Sequence, residues 1–215
     1  MGILGQKSRL IAVKEDQGRE SGLNEAGALL LSGGLIAFPT ESFYGLAVDA
    51  MNEAAITRLW QAKRRNPDNP ILILVPDMTE MDRVAARISP LAQRLMEAFW
   101  PGGLTLIFEA TKAISPLLTA STGKIGVRLS SHAIATGLAR ALGGPITGTS
   151  ANLAGQPACL SAQEVLSAMA DSVDLVLDGG KTAGGKGSTV LDATTEPPRI
   201  LRKGMVEEES IRKFL

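Results

Sequence analysis

The sequence predicts an α/β or intermixed α+β domain built around one sheet, and three observations support this fold class. Short apolar runs alternate along the chain with longer helical patterns, which is typical of strands and helices that share a sheet. The 215 residues can form a sizeable core, and the 45% of hydrophobic residues excludes global disorder. No internal repeat or linker-like tract divides the chain, so one domain over residues 1–215 is expected.

Each element is predicted from its apolar pattern and from the residues that interrupt it. Residues 23–32 form a helix that Gly33-Gly34 ends, and Asn52 caps a second helix over residues 53–65. Further helices are predicted at 91–100, 132–142 and 161–170, with a short helix at the C-terminus. Strands are predicted at 35–38, 71–75, 104–109, 125–129, 145–148, 174–177, 188–193 and 199–202.

The composition narrows the classes of function. Lys and Arg total 22 and so do Asp and Glu, which argues against a surface coated in basic residues but allows a local basic cleft. Cys159 is the only cysteine and His132 the only histidine of the sequence, which excludes an intrachain disulfide and most zinc sites. Both residues are expected to be structural. The longest uncharged stretch is too short for a membrane span, and we expect a cytoplasmic protein without membrane attachment.

The helix predicted at 53–65 carries a lysine on its core-facing side. Its apolar stripe contains Ile56, Leu59 and Trp60, and the next position of that stripe is Lys63. Arg64 and Arg65 follow. Three adjacent cations could hold a polyphosphate, whereas the alternative is a solvated basic helix end that interacts with the helix dipole.

Two other segments could bind a ligand at strand ends. Thr40 and Ser42 follow the strand at 35–38 and precede Tyr44, which gives either a ligand site or an ordinary turn with satisfied hydroxyls. In the strand at 125–129, Gly126 lies between Lys124 and Arg128 on one face. Gly126 either leaves room for a ligand beside two cations or belongs to a solvated face.

Two loops near the C-terminal half complete the candidate site. Residues 147–152 combine hydroxyls and an amide in one turn, which could bind phosphate or carboxylate or could cap a helix. The glycine-rich segment 179–187 fails the Walker A pattern because Leu175 stands where the leading glycine should be. We therefore predict a mobile loop that is anchored at Ser188.

Together these segments resemble the YrdC-like family, in its short threonylcarbamoyl-AMP synthase form. The resemblance covers about residues 20–206, to which an N-terminal strand segment and a C-terminal helix are attached. The matching motifs, in chain order, are Pro39-Thr40-Glu41-Ser42-Phe43-Tyr44-Gly45-Leu46, Lys63-Arg64-Arg65, Pro101-Gly102-Gly103-Leu104-Thr105, Val127-Arg128, Thr149-Ser150-Ala151-Asn152, Ser188-Thr189-Val190 and Leu201-Arg202-Lys203-Gly204.

The resemblance implies a YrdC/RibB-like fold, a twisted mixed sheet flanked by helices with a basic concave cavity. It also implies a nucleotidyltransferase reaction in which L-threonine, bicarbonate and ATP, supplied with Mg²⁺, give threonylcarbamoyl-AMP and pyrophosphate. A downstream transferase complex would then modify an adenosine of tRNA. Because the substrates are anionic, catalysis is expected to rest on positioning and fixed cations.

The resemblance assigns site residues by position. The catalytic set is Lys63, Arg65, Ser150 and Asn152. The threonine-binding positions are Thr40, Tyr44, Arg128, Gly148 and Ser188. Further ATP-binding positions are Asn69, Lys124, Ala158 and Arg202.

The sequence departs from the family pattern at a few points. Ser42 replaces a commoner threonine, and Leu74 stands where some longer members have a histidine. The C-terminal domain of the longer members is absent from this sequence, and the loop at 179–187 is the expected substitute lid. A second hypothesis is a paralogue that binds double-stranded RNA or a nucleotide without turnover. A third is the related domain that handles carbamoyl-AMP within larger proteins.

Overall fold

The computed structural model describes residues 8–13, 19–64 and 68–215. Its strands are β1 (Arg9–Ala12), β2 (Ile36–Pro39), β3 (Tyr44–Ala47), β4 (Ile73–Leu74), β5 (Leu104–Glu109), β6 (Lys124–Arg128), β7 (Ile146–Thr147), β8 (Thr149–Ser150), β9 (Leu175–Asp178), β10 (Thr189–Asp192) and β11 (Arg199–Arg202). Its helices are α1 (Arg19–Leu31), α2 (Glu53–Lys63), α3 (Met81–Val84), α4 (Pro90–Phe99), α5 (Pro116–Thr119), α6 (Ala133–Leu142), α7 (Ala162–Met169) and α8 (Glu208–Arg212).

The strands form two hydrogen-bonded sheets instead of the single sheet that the sequence predicted. A five-stranded sheet has the order β1-β9-β2-β3-β8, and a six-stranded sheet has the order β11-β10-β5-β6-β4-β7. Both sheets mix parallel and antiparallel pairs. The predicted strand at 145–148 corresponds to β7, and the additional strand β8 follows directly after Gly148. β7 pairs with β4 of one sheet, while β8 pairs with β3 of the other. The two sheets therefore adjoin at residues 146–150.

Apolar side chains pack in two clusters. The larger contains residues from both sheets together with α2, α4 and α7. The smaller lies where α1 and α6 pack on each other and on the five-stranded sheet, and it includes Leu30, Phe38, Leu138 and Leu177. The predicted α/β class with a mixed sheet architecture flanked by helices is confirmed.

The start and end of α2 show how the local sequence sets its position. The side chain of Asn52 accepts a hydrogen bond from the backbone N–H of Ala55 at 3.1 Å, so the predicted N-cap is confirmed. The helix ends at Lys63 because Arg64 is left-handed, with φ 48°. Ile56, Leu59, Trp60 and Lys63 are all buried, as the apolar stripe predicted.

Several elements were not predicted. Strand β3 begins at Tyr44, directly after the segment of Thr40 and Ser42, and the short helices α3 and α5 had no clear pattern. No helix among residues 8–13, 19–64 and 68–215 has the length and apolar character needed to cross a membrane.

Candidate active site

A cleft of about 330 Å³ opens where the two sheets adjoin, a volume in the range of small-ligand sites. It is lined by Phe38, Thr40, Ser42, Phe43, Tyr44, Gly45, Pro70, Ile71, Leu72, Leu74, Arg128, Gly148, Thr149, Ser150, Ala158, Gly187, Ser188 and Arg202. The charged members of this set are Arg128 and Arg202, so among the described residues the lining holds guanidinium groups and hydroxyls but no carboxylate. Such a lining suits an anionic ligand.

The turn between β2 and β3 brings hydroxyl groups to the cleft. The Thr40 hydroxyl donates to the carbonyl oxygen of Phe43 at 2.7 Å, and the Thr40 backbone N–H donates to the same oxygen at 3.1 Å. The carbonyl of Ser42 accepts from the backbone N–H of Gly184 at 2.7 Å. The turn therefore has a fixed shape, and it is also joined to the glycine-rich loop.

Arg128 enters the cleft from the end of β6 and is 6% exposed. Its Nη1 donates to Oε2 of Glu41 at 3.0 Å. Burial alone would raise the pKa of Glu41, but the Arg128 charge and the hydrogen bonds from Ser130 and Ser131 outweigh it and hold that pKa below its usual value. The buried arginine is therefore paired with an ionised carboxylate.

Ser188 directly precedes β10 and forms hydrogen bonds with two neighbours. The Thr105 hydroxyl on β5 donates to Ser188 Oγ at 2.8 Å. Nη2 of Arg202 donates to the same oxygen at 3.0 Å, and Nε and Nη2 of Arg202 also donate to the Ser188 carbonyl at 3.1 and 2.9 Å. Since Oγ accepts from both neighbours, the hydroxyl proton of Ser188 can be donated to a ligand in the cleft.

Lys63 contacts the turn that follows β8. Its Nζ donates to the carbonyl of Ser150, to the carbonyl of Asn152 at 3.0 Å and to Oδ1 of Asn152 at 3.0 Å. The Ser150 hydroxyl donates to Oδ1 of Asn152 at 2.7 Å. Ser150 lines the cleft, whereas Lys63 and Asn152 lie outside its lining and support it from behind. Three of the four expected catalytic residues, Lys63, Ser150 and Asn152, thus form one contiguous cluster.

The hydroxyl of Tyr44 joins the floor of the cleft to the glycine-rich loop. It donates to the carbonyl of Gly180 at 2.8 Å, and Asp178 Oδ1 lies 3.4 Å away. Burial, followed by the Asp178 charge, raises the pKa of Tyr44 to about 12. Tyr44 therefore stays protonated at neutral pH and acts as a hydrogen-bond donor toward the loop.

Comparisons with known proteins show the family of this chain. The sequence model of the Sua5/YciO/YrdC family, which carries the description telomere recombination, matches residues 28–204. The chain belongs to the Sua5/YciO/YrdC family. A Bacillus subtilis member named threonylcarbamoyl-AMP synthase is 37% identical over 192 residues, which are 89% of this chain and 56% of that protein. The resemblance to the YrdC-like family is thereby confirmed.

Two solved structures of this family superpose closely on the chain. Pyrococcus abyssi Sua5, crystallised with L-threonine, is 35% identical with a TM-score of 0.93 and is matched over 97% of this chain and 61% of that one. Escherichia coli YciO is 28% identical with a TM-score of 0.85 and is matched over 97% and 100%, respectively. The chain thus spans little more than half the length of the Bacillus and Pyrococcus relatives.

The cleft of this family member is lined by all five of the threonine-binding positions that the sequence indicated and by three of the nucleotide-binding positions. Those in its lining are Thr40, Tyr44, Arg128, Gly148, Ser150, Ala158, Ser188 and Arg202. Leu74 and Ser42, the two departures from the family pattern, also line it. These residues come from distant parts of the chain, so their convergence supports the site.

Other predicted positions lie elsewhere. Asn69 is exposed and outside the lining, and Lys124 donates to Oδ2 of Asp192 at 3.0 Å. Arg65 lies outside the described residues. Arg64 is exposed while Lys63 is buried, so these two adjacent cations do not share one environment.

The space beside Gly126 is filled by protein. A Cβ at that position would lie 3.2 Å from Leu72 Cβ and 3.2 Å from Thr105 Cγ2. The idea that Gly126 leaves room for a ligand is therefore wrong, because neighbouring side chains pack closely against the strand there. His132 and Cys159 lie outside the cleft lining, as their structural interpretation predicted.

Sequence reasoning missed two supporting residues. Glu41 belongs to the motif at 39–46, but no local pattern indicates its contact with Arg128, which spans 87 positions of the chain. The other is Thr105, for which a usable signal exists: a threonine between Leu104 and Leu106 of a buried strand needs a hydrogen-bond partner.

Proposed function

We propose that this chain catalyses threonylcarbamoyl-AMP synthesis from L-threonine, bicarbonate and ATP, with release of pyrophosphate, as a nucleotidyltransferase. The observation that carries this proposal is that one cleft is lined by the buried Arg128 and by the hydroxyls of Thr40 and Ser188. Ser150, whose carbonyl accepts a hydrogen bond from Lys63, lines the same cleft. The similarity to a Sua5 protein crystallised with L-threonine supports it.

In this proposal Arg128 binds the carboxylate of threonine. A guanidinium that is 6% exposed forms stronger hydrogen bonds to a carboxylate than a solvated one does. The hydroxyls of Thr40 and Ser188 lie in the same lining and would orient the amino acid. Gly148 also lines the cleft, and there is no room for a side chain at this position, since a Cβ would lie 2.6 Å from Leu72 Cδ1 and 3.0 Å from Leu74 Cγ.

The reaction then proceeds in two balanced steps. The threonine amine and bicarbonate form a carbamate with loss of water, which gives N-carboxythreonine. A carbamate oxygen attacks the α-phosphorus of ATP. The bond between the α-phosphorus and the oxygen that bridges it to the β-phosphate breaks, and pyrophosphate leaves. Such a transfer depends mainly on positioning and fixed positive charge, which we assign to Arg202 and Lys63, with Arg65, Asn69, Lys124, Ala158, Ser150 and Asn152 as further contacts.

We expect Mg²⁺ to enter with ATP as part of the substrate. Within residues 8–13, 19–64 and 68–215, no group of three or more His, Cys, Asp or Glu side chains could hold a metal ion. The charged groups that line the cleft are arginines. Phosphate oxygens and water are the ligands that Mg²⁺ commonly takes in nucleotide sites, so the chain does not need to supply its own.

The product has a defined place in a reaction sequence. A mixed anhydride with AMP is a group donor, so a downstream transferase complex would consume it to modify tRNA in the cytoplasm. The loop at 179–187 would close over the cleft to limit hydrolysis.

The test is pyrophosphate release by purified protein given ATP and Mg²⁺, with threonine and bicarbonate supplied together, singly or not at all. Release that requires both supports the synthase. Release without threonine, or none, contradicts it. RNA bound with a steep salt dependence and without turnover would instead favour the RNA-binding paralogue.

A further inference from the structure

The carboxylate of Glu41 accepts four hydrogen bonds in addition to its ion pair with Arg128. Its Oε1 accepts hydrogen bonds from the Ser130 hydroxyl at 2.7 Å, the Ser131 backbone N–H at 2.6 Å, the Ser131 hydroxyl at 3.0 Å and the His132 backbone N–H at 3.3 Å. These donors lie just before α6. Glu41 is thus a fixed anchor at the start of a packed helix.

Arg128 is bound to that anchor through one edge only. Its Nη1 donates to Oε2 of Glu41, while its Nε is buried and has no acceptor among the described residues. The Arg128 side chain lines the cleft, whereas Glu41 does not. The positive charge of Arg128 is therefore balanced by a carboxylate that lies outside the cleft lining. The Nε–H of Arg128 remains able to donate a hydrogen bond.

We propose that Glu41 is a positioning residue, which fixes the orientation of the Arg128 guanidinium so that the cleft can bind an amino-acid carboxylate. The proposal rests on the function proposed above for its ligand, L-threonine. Without the carboxylate, Arg128 would have no counter-charge and no fixed partner, and a guanidinium can rotate about several bonds. Orientation of a bidentate donor matters as much as its charge.

The variant Glu41→Gln tests whether Glu41 orients the Arg128 guanidinium, because glutamine has nearly the same shape as glutamate. Both oxygens of Glu41 accept hydrogen bonds, from Arg128 on one side and from residues 130–132 on the other. A glutamine has one acceptor and one donor, so either orientation of its amide sets a donor against a donor. Glu97→Gln is the matched control, because Glu97 is exposed on α4 and contacts Gln93.

The first measurement needs no ligand. In wild-type protein labelled with ¹⁵N-arginine, we expect the buried Nε–H of Arg128, assigned through Arg128→Lys, to exchange slowly with water. In Glu41→Gln we expect exchange to be about tenfold faster or more, since the side chain becomes mobile. An unchanged exchange rate in a folded variant would overturn the proposal, whatever the protein binds.

The second measurement is calorimetric titration with L-threonine and, separately, with ATP. We expect Glu41→Gln to weaken threonine binding about tenfold, with ATP binding within about twofold and Glu97→Gln like wild type. Equal loss for both ligands would indicate a merely structural role and overturn the proposal. A wild-type protein that binds no threonine would instead refute the function proposed above, and the exchange measurement would still decide the role of Glu41.

If Glu41→Gln does not fold, Ser130→Ala replaces it. This variant removes the 2.7 Å hydrogen bond to Oε1 and leaves the ion pair with Arg128 in place. We expect threonine binding about three times weaker and faster Arg128 Nε–H exchange. No change in either quantity would contradict the positioning role.

Discussion

The ammonium group of Lys63 lies 3.0 Å from Oδ1 of Asn152 and donates a hydrogen bond to it, which ties the end of α2 to the turn after β8. The residue is 2% exposed, and it also donates to the carbonyls of Ser150 and Asn152. Lys63 therefore shapes the turn that bears the Ser150 hydroxyl as well as placing a positive charge behind the cleft.

Replacing Lys63 by methionine keeps much of its volume and removes its charge and hydrogen bonds. We expect threonine-dependent pyrophosphate release to fall about 100-fold or more, since a preorganised charge is lost. We also expect a loss of about 2 kcal/mol in the free energy of unfolding, because the acceptors lose their donor. Assays and urea unfolding measure the two effects. The exposed Lys112→Met is the matched control, and turnover within twofold of wild type in Lys63→Met would contradict the assignment.

Replacing Thr105 by valine removes the hydroxyl that donates to Ser188 Oγ at 2.8 Å. We expect the KM for threonine to rise about fivefold, equivalent to about 1 kcal/mol, because Ser188 loses one of its fixed partners. The KM for ATP should change less. Thr111→Val removes a comparable hydroxyl bond to the Arg83 carbonyl away from the cleft and should leave both constants unchanged. A parallel rise of both constants in Thr105→Val would argue against a role at Ser188.

Replacing Tyr44 by phenylalanine removes the hydrogen bond to the Gly180 carbonyl, at a cost of about 1 kcal/mol near pH 8. The folded-state pKa of Tyr44 is about 12, above the usual value of 10.0. Its contribution is therefore complete below pH 10 and is lost as the pH rises toward 12, because the unfolded chain releases this proton first. Urea unfolding at several pH values should show a steeper loss in wild type than in Tyr44→Phe. Parallel curves would show that Tyr44 does not titrate in this way.

Replacing Gly204 by alanine should distort the end of the glycine-rich loop. The added Cβ would lie 2.3 Å from the Gly187 carbonyl oxygen and 2.5 Å from the Thr189 backbone nitrogen, both backbone atoms. We expect a loss of about 2 kcal/mol in the free energy of unfolding and lower turnover, because Ser188 lies between these two residues. At Gly144 a Cβ would meet only Arg83 Nη1 at 3.5 Å, so Gly144→Ala should be nearly neutral. A fully active and stable Gly204→Ala would contradict the predicted strain.

The parts of the site that follow a local periodic pattern could be predicted from the sequence. Lys63 continues an apolar helical stripe and is buried, and Arg128 alternates with the core residues of β6. Asn52 is a helix cap because its residue type suits that position. In each case the physical cause acts within a few residues of the side chain concerned.

The parts that depend on tertiary pairing could not be predicted. No local pattern shows that Glu41 meets Arg128, or that Thr105 meets Ser188 across 83 positions. The change of sheet at Gly148 is similar, since it depends on β7 pairing with β4 and β8 pairing with β3. Sheet pairing is decided by packing over long sequence separations, and the single sheet first expected was wrong for this reason.

The position of the cleft between two sheets has a mechanical consequence. Thr40 and Ser150 belong to the β2-β3-β8 side, whereas Arg128 and Ser188 belong to the β6 and β10 side. A substrate that contacts both groups would connect the two sides of the cleft through its own hydrogen bonds. Because such a ligand binds only the folded arrangement of the two sides, it would raise the free energy of unfolding, and this added stability would be lost when the product leaves.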